Sequence, residues 1–364
     1  MKVFILLFLS FSLYAQSLRQ DLGQVNMLEH LKAELRLGYI GYQVDAKDKK
    51  SFGFGGHIHF GTKSYRGWSL QGSIYGVQNI ELASDFDSSG FIFLSEANLL
   101  YQSKSFMLKA GRLMFDSPHM DSDDIRMVSN YFSGVVTTFD QGEIGLEAAF
   151  IRKMAGWESG ENIERFKNLN QVLGVKEQSS GAAIMGITHE NFALWAYHID
   201  AIADILYAQF DWEGKGFNIH FQVDRAKSLQ SQNSIDSLSI GFFMQKCFED
   251  VAYTIGYNRE LRDSQSMFSF GGGPFFTSME EMTLDAITAK GAEAYVYGIS
   301  YQNDFLHAGI LSGRFFAKNF DAREIDLYTT LQKGNINVDA VLALVDNKYG
   351  KDTTLFRVIA RFGF

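Results

Sequence analysis

Four aspartates and two arginines crowd one short stretch of this chain. Arg112, Asp116, Asp121, Asp123, Asp124 and Arg126 all lie in G-R-L-M-F-D-S-P-H-M-D-S-D-D-I-R-M-V-S-N-Y-F-S-G-V, Gly111 to Val135. Side chains of this kind can pair with one another. An arginine fork matches a carboxylate in bidentate fashion and stays charged at any physiological pH. Set across a narrow water path, the two signs make a transverse field that orients dipolar solutes. The aspartates could instead cap turns and a short helix around Ile125. A calcium ion at the loop is a further alternative, although D-S-D-D lacks the glycine and glutamate of a full EF-hand loop. Arg126 reads either as a constriction residue or as a clamp onto Asp123 or a wall.

A second group of cations sits on segments with strand periodicity. In Leu355 to Phe364, L-F-R-V-I-A-R-F-G-F, one face holds Phe356, Val358, Ala360, Phe362 and Phe364. The other face holds Arg357, Arg361 and Gly363, with Ile359 as an apolar exception. Successive strand side chains point to opposite sides, so the segment has a greasy face and a cationic face. Leu31, Ala33, Leu35, Leu37 and Tyr39 alternate with Lys32, Glu34, Arg36 and Gly38 in the same way. Arg36, Arg357 and Arg361, with Arg314 at a strand end, are the basic residues expected to line a wet interior. They can also balance inward Glu34, Glu96, Glu143 and Glu147.

The elements that must position these charges are alternating segments of roughly ten residues, the length of a tilted membrane-spanning strand. Phe52–Phe60, Trp68–Tyr75 and Phe91–Tyr101 alternate, with Phe91, Phe93, Ala97, Leu99 and Tyr101 on one expected face. The reading continues through 104–112, 133–140, 142–152, 181–189, 192–199, 202–211, 215–224, 236–247, 250–260, 292–302, 304–314, 323–332, 335–345 and 354–364. About eighteen strands result, an even number suited to a large barrel. Long links are expected at 43–51, 78–90, 113–132, 153–180, 225–235, 261–291, 315–322 and 346–353. They alternate with short turns, the link at Asp200–Ala201 being too short for its place. A short helix through Ile163, Phe166, Leu169 and Val172 or Leu173 is expected in 153–180. The predicted fold is an all-β transmembrane antiparallel barrel with an inward-folded constriction loop.

Composition agrees. There are 34 Gly, 33 Phe and 16 Tyr but only 2 Pro, and proline removes ladder donors. A single cysteine, Cys247, excludes an intrachain disulfide framework. The net charge of −9 argues against a nucleic-acid partner, which would select a basic patch. Lys2 followed by Val3 to Leu9 and a small residue at Ala15 reads as a signal peptide over 1–15. Residues 16–30 then form an N-terminal periplasmic segment, and 31–364 the barrel.

Enzyme chemistry has little support. His57 and His59 share a strand face and could chelate a metal, or form a hydrophilic pair. His119 with the following aspartates invites the same question. G-x-S-x-G, Walker and dinucleotide-binding glycine patterns are absent. No cofactor is expected, apart from the calcium alternative.

The run G-R … D-S-D-D-I-R-M after the fifth expected strand resembles the OprD-type porins, including the major outer-membrane porins of epsilonproteobacteria. Gly271 to Thr283, G-G-G-P-F-F-T-S-M-E-E-M-T, resembles another long loop of that family, and Ser129 departs from its pattern. The resemblance implies an eighteen-stranded outer-membrane barrel with a narrow charged eyelet, passing small hydrophilic solutes, often with a carboxylate. It implies termini and short turns in the periplasm, long loops outside, and Phe364 as the signal read by the barrel assembly machinery. A homotrimer is compatible with the lipid-facing surface. A plugged barrel serving as an adhesin or structural protein, or a barrel hydrolase, is the alternative.

Overall fold

The structure is a computed structural model that describes residues 27–44, 47–79, 90–229 and 235–364. The expected leader, and 16–26 of the segment after it, lie outside the described residues. The strands are β1 (Leu28–Val44), β2 (Lys47–Thr62), β3 (Trp68–Asn79), β4 (Phe91–Gln102), β5 (Phe106–Leu113), β6 (Tyr131–Gln141) and β7 (Ile144–Ala155). They continue with β8 (Lys167–Asn168), β9 (Ala182–His189), β10 (Phe192–Ile199), β11 (Ala203–Gly214), β12 (Phe217–Ser228) and β13 (Asp236–Phe248). The last six are β14 (Val251–Glu260), β15 (Glu293–Gln302), β16 (Leu306–Ala317), β17 (Phe320–Lys333), β18 (Ile336–Asn347) and β19 (Thr353–Gly363). β1 begins at Leu28, ahead of the expected start at Leu31.

Eighteen of these strands form the wall, because the two-residue β8 lies beside the end of β7 while β7 also pairs with β9. All pairings are antiparallel, and β1 pairs with both β2 and β19. The ring is therefore closed, which leaves no strand edge unpaired in lipid. The expected eighteen-strand barrel is what the chain forms.

Phase decides which side each residue serves. Leu70 and Ile74 on β3, Phe221 and Val223 on β12, Leu327 on β17 and Phe356 on β19 face outward and are exposed. Arg36, Asp224, Glu324 and Arg357 take the inward phase and are buried. A slip of one residue would exchange the two sets. An arginine on the lipid face costs about 2–4 kcal/mol near the bilayer midplane, so the register is strongly specified. Ile359 does take the inward phase between Arg357 and Arg361, and it is fully buried.

β4 departs from the single face expected for it. Ser73 pairs with Glu96 and Ile74 with Leu94, so Ser95 is an extra, bulged residue. A bulge resets the alternation. Ile92 and Leu94 therefore point out with Leu99, while Phe93, Glu96 and Asn98 are buried inside.

The links also differ from expectation in two places. The expected long links 43–51 and 315–322 shrink to 45–46 and 318–319, because β1, β2, β16 and β17 run on past the predicted ends. The short link at 200–202 stands as read. Among the described residues three long loops dominate: L3 (114–130), L4 (156–181) and L7 (261–292). L4 holds a 3-10 turn, Trp157–Ser159, and a one-turn helix α1, Leu169–Val172. Ile163 and Phe166 fall outside that helix.

The hydrophobic core lies inside the ring, where loops pack on the inner wall. Phe115 and Met120 of L3 join Phe132, Ile184 and Tyr197. Met127 and Val128 join Ile40, Tyr75 and Phe93. Phe275, Met279, Leu284 and Ile287 of L7 join Val296 and Phe315. Each fully buried side chain of this size contributes about 1.5–3 kcal/mol, which holds L3 and L7 within the lumen.

Candidate functional site

Three arginines on neighbouring strands grip L3. Arg36 on β1 forks onto Asp124 at 2.6 and 2.8 Å, donates to the Arg126 carbonyl at 3.0 Å, and reaches Glu34 at 2.6 Å. Arg357 on β19 donates to the Ile125 carbonyl at 2.5 Å. Arg361 donates to the Asp124 carbonyl at 2.7 Å and pairs with Asp339 on β18. Arg36 and Arg361 face each other in the β1–β19 register. Strand periodicity thus delivers all three to one strip of wall, and L3 arrives there with Asp124 first. Tyr75 adds a buried hydroxyl bond to the Met127 carbonyl.

L7 is anchored by the opposite device, carboxylates gripping backbone amides. Glu324 on β17 accepts from Glu281 N at 2.9 Å and Met282 N at 2.8 Å, and Asp326 accepts from Glu280 N at 3.0 Å. Arg357 then forks onto the Glu280 carboxylate at 2.9 and 2.8 Å. One guanidinium therefore ties both loops to the wall. Arg126 closes the gap between loops: it donates to Tyr42 at 3.3 Å and lies 3.8 Å from Glu280 and 4.0 Å from Glu281. Its guanidinium sits 5.0 Å over the Trp157 ring of L4.

A second seam joins L3 to L7 on the far side. Asp121 N donates to the Phe270 carbonyl at 2.9 Å and Phe270 N to the His119 carbonyl at 2.9 Å. Gly271 follows with φ 94°, and a Cβ there would collide with the Asp121 carbonyl, so the approach requires glycine. His119 lies between Asp224 of β12, 2.5 Å from Nε2, and Ser269, 3.1 Å from Nδ1. A serine, a histidine and an aspartate in a row suggest nucleophilic catalysis. Here His119 is wholly buried against Tyr197 and Tyr207. The trio joins L3, L7 and β12 as a polar clasp in an apolar setting.

The aspartates of L3 carry unequal environments. Burial works against the charge of Asp124, yet the Arg36 hydrogen bonds and charge, with Ser129, hold its carboxyl below the ordinary range. Burial and the neighbouring Asp121 push Asp123 up to about 6. Burial, then the charge of Asp123, pushes Glu158 of L4 up to about 7. Burial also raises Asp121. L3 therefore holds one committed anion at the arginine strip, Asp124, and two carboxyls, Asp121 and Asp123, whose burial favours the protonated form. Among the described residues, no group of three or more His, Cys, Asp or Glu side chains is placed to hold a metal ion.

No family model matches the chain, and no curated protein matches it. Solved structures do. Acinetobacter baumannii OccAB4 superposes with a TM-score of 0.76 at 15% identity, over 93% of this chain and 99% of that one. Pseudomonas aeruginosa OpdQ gives 0.77 at 13% identity, over 92% and 98%. Pseudomonas aeruginosa OpdK, crystallised with vanillate, gives 0.76 at 14% identity, over 93% and 99%. The chain has the fold of the OprD-type outer-membrane barrels.

In this barrel the residues singled out by sequence separate into three groups. Arg36, Asp124, Arg126, Arg357 and Arg361 come together at the strip. Asp116, Asp121 and Asp123 shape the loop: Asp116 accepts from Ser122 N at 3.0 Å and Asp121 from Asp123 N at 2.7 Å. Arg112 and Arg314 stand apart. Arg112 lies opposite Ala97 in the outward row of β5, donates to the Leu94 carbonyl at 2.8 Å and stacks 4.7 Å over Phe166. Arg314 shares the outward phase of exposed Ile310 and forks onto Asp321 at 2.8 and 2.9 Å. It missed the lumen because β16 and β17 extend into a tight hairpin there, which keeps it on a regular strand. Sequence reasoning did not find Glu280, Glu324, Asp326 or His119 with Asp224. Glu324 and Asp326, two apart on one strand face, were the available signal.

Proposed function

We propose that this barrel is an outer-membrane porin, a narrow water-filled channel for small hydrophilic solutes and ions. The observation that carries the reading is the inward seating of L3 and L7 on one charged strip, Arg36, Arg357 and Arg361 against Asp124 and Glu280. Charges held across a lumen narrow it and orient what passes. The termini and short turns face the periplasm and the long loops face outward in this reading, as bacterial barrels are built.

Small solutes that carry a ring and a charged group suit this lumen. An aromatic patch, His220, Phe243 and Phe276 with ring centroids 5.3–6.1 Å apart, lies on β12, β13 and L7, across the ring from β1 and β19. A solute with a ring and a carboxylate would meet aromatic surface on one side and a wall of mixed charge on the other. The vanillate in the OpdK crystal has that chemistry and supports the reading. The test is solute flux into liposomes carrying the folded protein. Swelling in small carboxylates and not in larger sugars is expected. No swelling above protein-free vesicles would refute the porin reading.

A further inference from the structure

The arginines of the strip are poor candidates for direct selection of solutes. Arg36 is 2% exposed and Arg357 6%, and both have their donors engaged by Glu34, Asp124, Glu280 and loop carbonyls. A passing solute meets the side chains below them on the same wall. There the register aligns three inward rows across β1, β2, β3 and β4. One row is Lys32, His59, Ser73 and Glu96. The next, toward L3, is Glu34, His57, Tyr75 and Phe93. The one after that begins with Arg36.

We propose that His30, His57 and His59 are specificity-determining residues that set the sign of charge this channel prefers. The inference rests on the porin reading. His30 and His59 stack with centroids 5.2 Å apart and ring planes at 10°. The stack is possible because residue 61 is glycine; a Cβ there would collide with the His30 ring. His59 Nδ1 lies 3.3 Å from Glu96, and His57 Nδ1 3.9 Å from Glu34. His57 and His59 keep 24% and 22% of their side chains exposed.

The surrounding charges make these imidazoles decisive. The groups facing them are Lys32, Glu34 and Arg36 on β1, Tyr75 on β3, Glu96 on β4 and Asp124 in L3. Arg361 and Asp339 lie on the adjoining strands β19 and β18, and Glu29 lies beside His30. The fixed cations Lys32, Arg36 and Arg361 are outnumbered by Glu29, Glu34, Glu96, Asp124 and Asp339. With neutral imidazoles the wall is therefore net acidic, and each imidazolium charge formed there offsets one of these carboxylates. Imidazole is the side chain that ordinarily titrates between about pH 5 and 8.

The test is the reversal potential of single channels in a salt gradient, measured at pH 7.5 and pH 5.0. Wild type is expected to move toward anions on acidification. His30→Asn, His57→Asn and His59→Asn together should remove most of that shift while leaving discrete channels. His59→Asn alone should remove part of it, and provides the comparison if the triple variant does not fold. Loop carboxyls such as Asp123 and Glu158 titrate in the same window, but they are intact in all these variants. An equal shift in wild type and variants, or no shift in wild type channels, overturns the histidine assignment and leaves the porin reading standing. Folded wild type that forms no channel overturns both.

Discussion

Arg357 is the residue whose loss should change the channel most. It holds Glu280 of L7 through two bonds of 2.9 and 2.8 Å and the Ile125 carbonyl of L3 through one of 2.5 Å. Replacing it by methionine keeps much of the side-chain bulk and removes every donor. Glu280 is then left as a buried carboxylate without its fork. Breaking a buried pair on one side costs about 3–5 kcal/mol. The charge can regain water if L7 lifts, so the cost becomes a drive toward the unseated loop. At about 1.4 kcal/mol per tenfold, the ratio of seated to unseated loop falls by roughly two to four orders of magnitude. Single-channel recording is the assay. Arg357→Met should show higher or noisier conductance than wild type. Arg357→Lys, which keeps the charge and loses the fork, should fall between them. Wild-type conductance and noise in Arg357→Met would show that the fork does not seat the loops.

Further outcomes follow from the same contacts. Because the Asp123 carboxyl is raised to about 6, its protonated form favours the folded loop. Its contribution is full below the ordinary carboxylate range and is lost as pH rises through about 6. Asp123→Asn should therefore stabilise the barrel by about 1–2 kcal/mol at pH 7.5, after allowance for partial exposure, and change nothing at pH 4, as read by thermal unfolding. Asp124→Asn should do the reverse, destabilising at neutral pH with a cost that fades in acid, since its carboxyl is held low. His119→Ala strands Asp224 in an apolar setting and should cost about 3–5 kcal/mol, whereas Ser269→Ala removes one hydrogen bond worth about 0.5–1.5 kcal/mol. Neither should alter any hydrolase activity above background, and a loss of turnover in Ser269→Ala would revive the catalytic reading. Arg314→Ala should leave conductance and selectivity unchanged, because it stands on the outward phase.

Much of the architecture was legible because a strand has a period of two and a membrane leaves few alternatives. The alternation that put Arg36, Arg357 and Arg361 on one phase and their apolar neighbours on the other holds in the barrel. The ring of eighteen strands follows from repeating it. What failed to show was whatever interrupts that period or crosses the lumen. Ser95 adds one residue to β4 and turns Phe91 and Phe93 inward, and nothing in F-I-F-L-S-E-A-N marks the insertion. The 318–319 hairpin was read as a loop because Arg314 to Asp321 is polar at both ends, although those ends pair across the outer face. The loop anchors are the least legible feature. Glu324 meets the amides of Glu281 and Met282, and Arg36 meets Asp124, across long sequence separations. A strand pattern fixes the side a residue faces and leaves its partner in a distant loop undetermined. The arginines were accordingly expected to line the wet interior, and the structure shows Arg36 and Arg357 engaged in holding loops.

The most direct test of the account is the single-channel conductance of the reconstituted protein, compared with a variant lacking residues 116–124. A narrow eyelet made by L3 predicts small discrete steps for the wild type and clearly larger ones for the deletion. Absence of steps from folded wild type, or steps of the same size in both proteins, would contradict it.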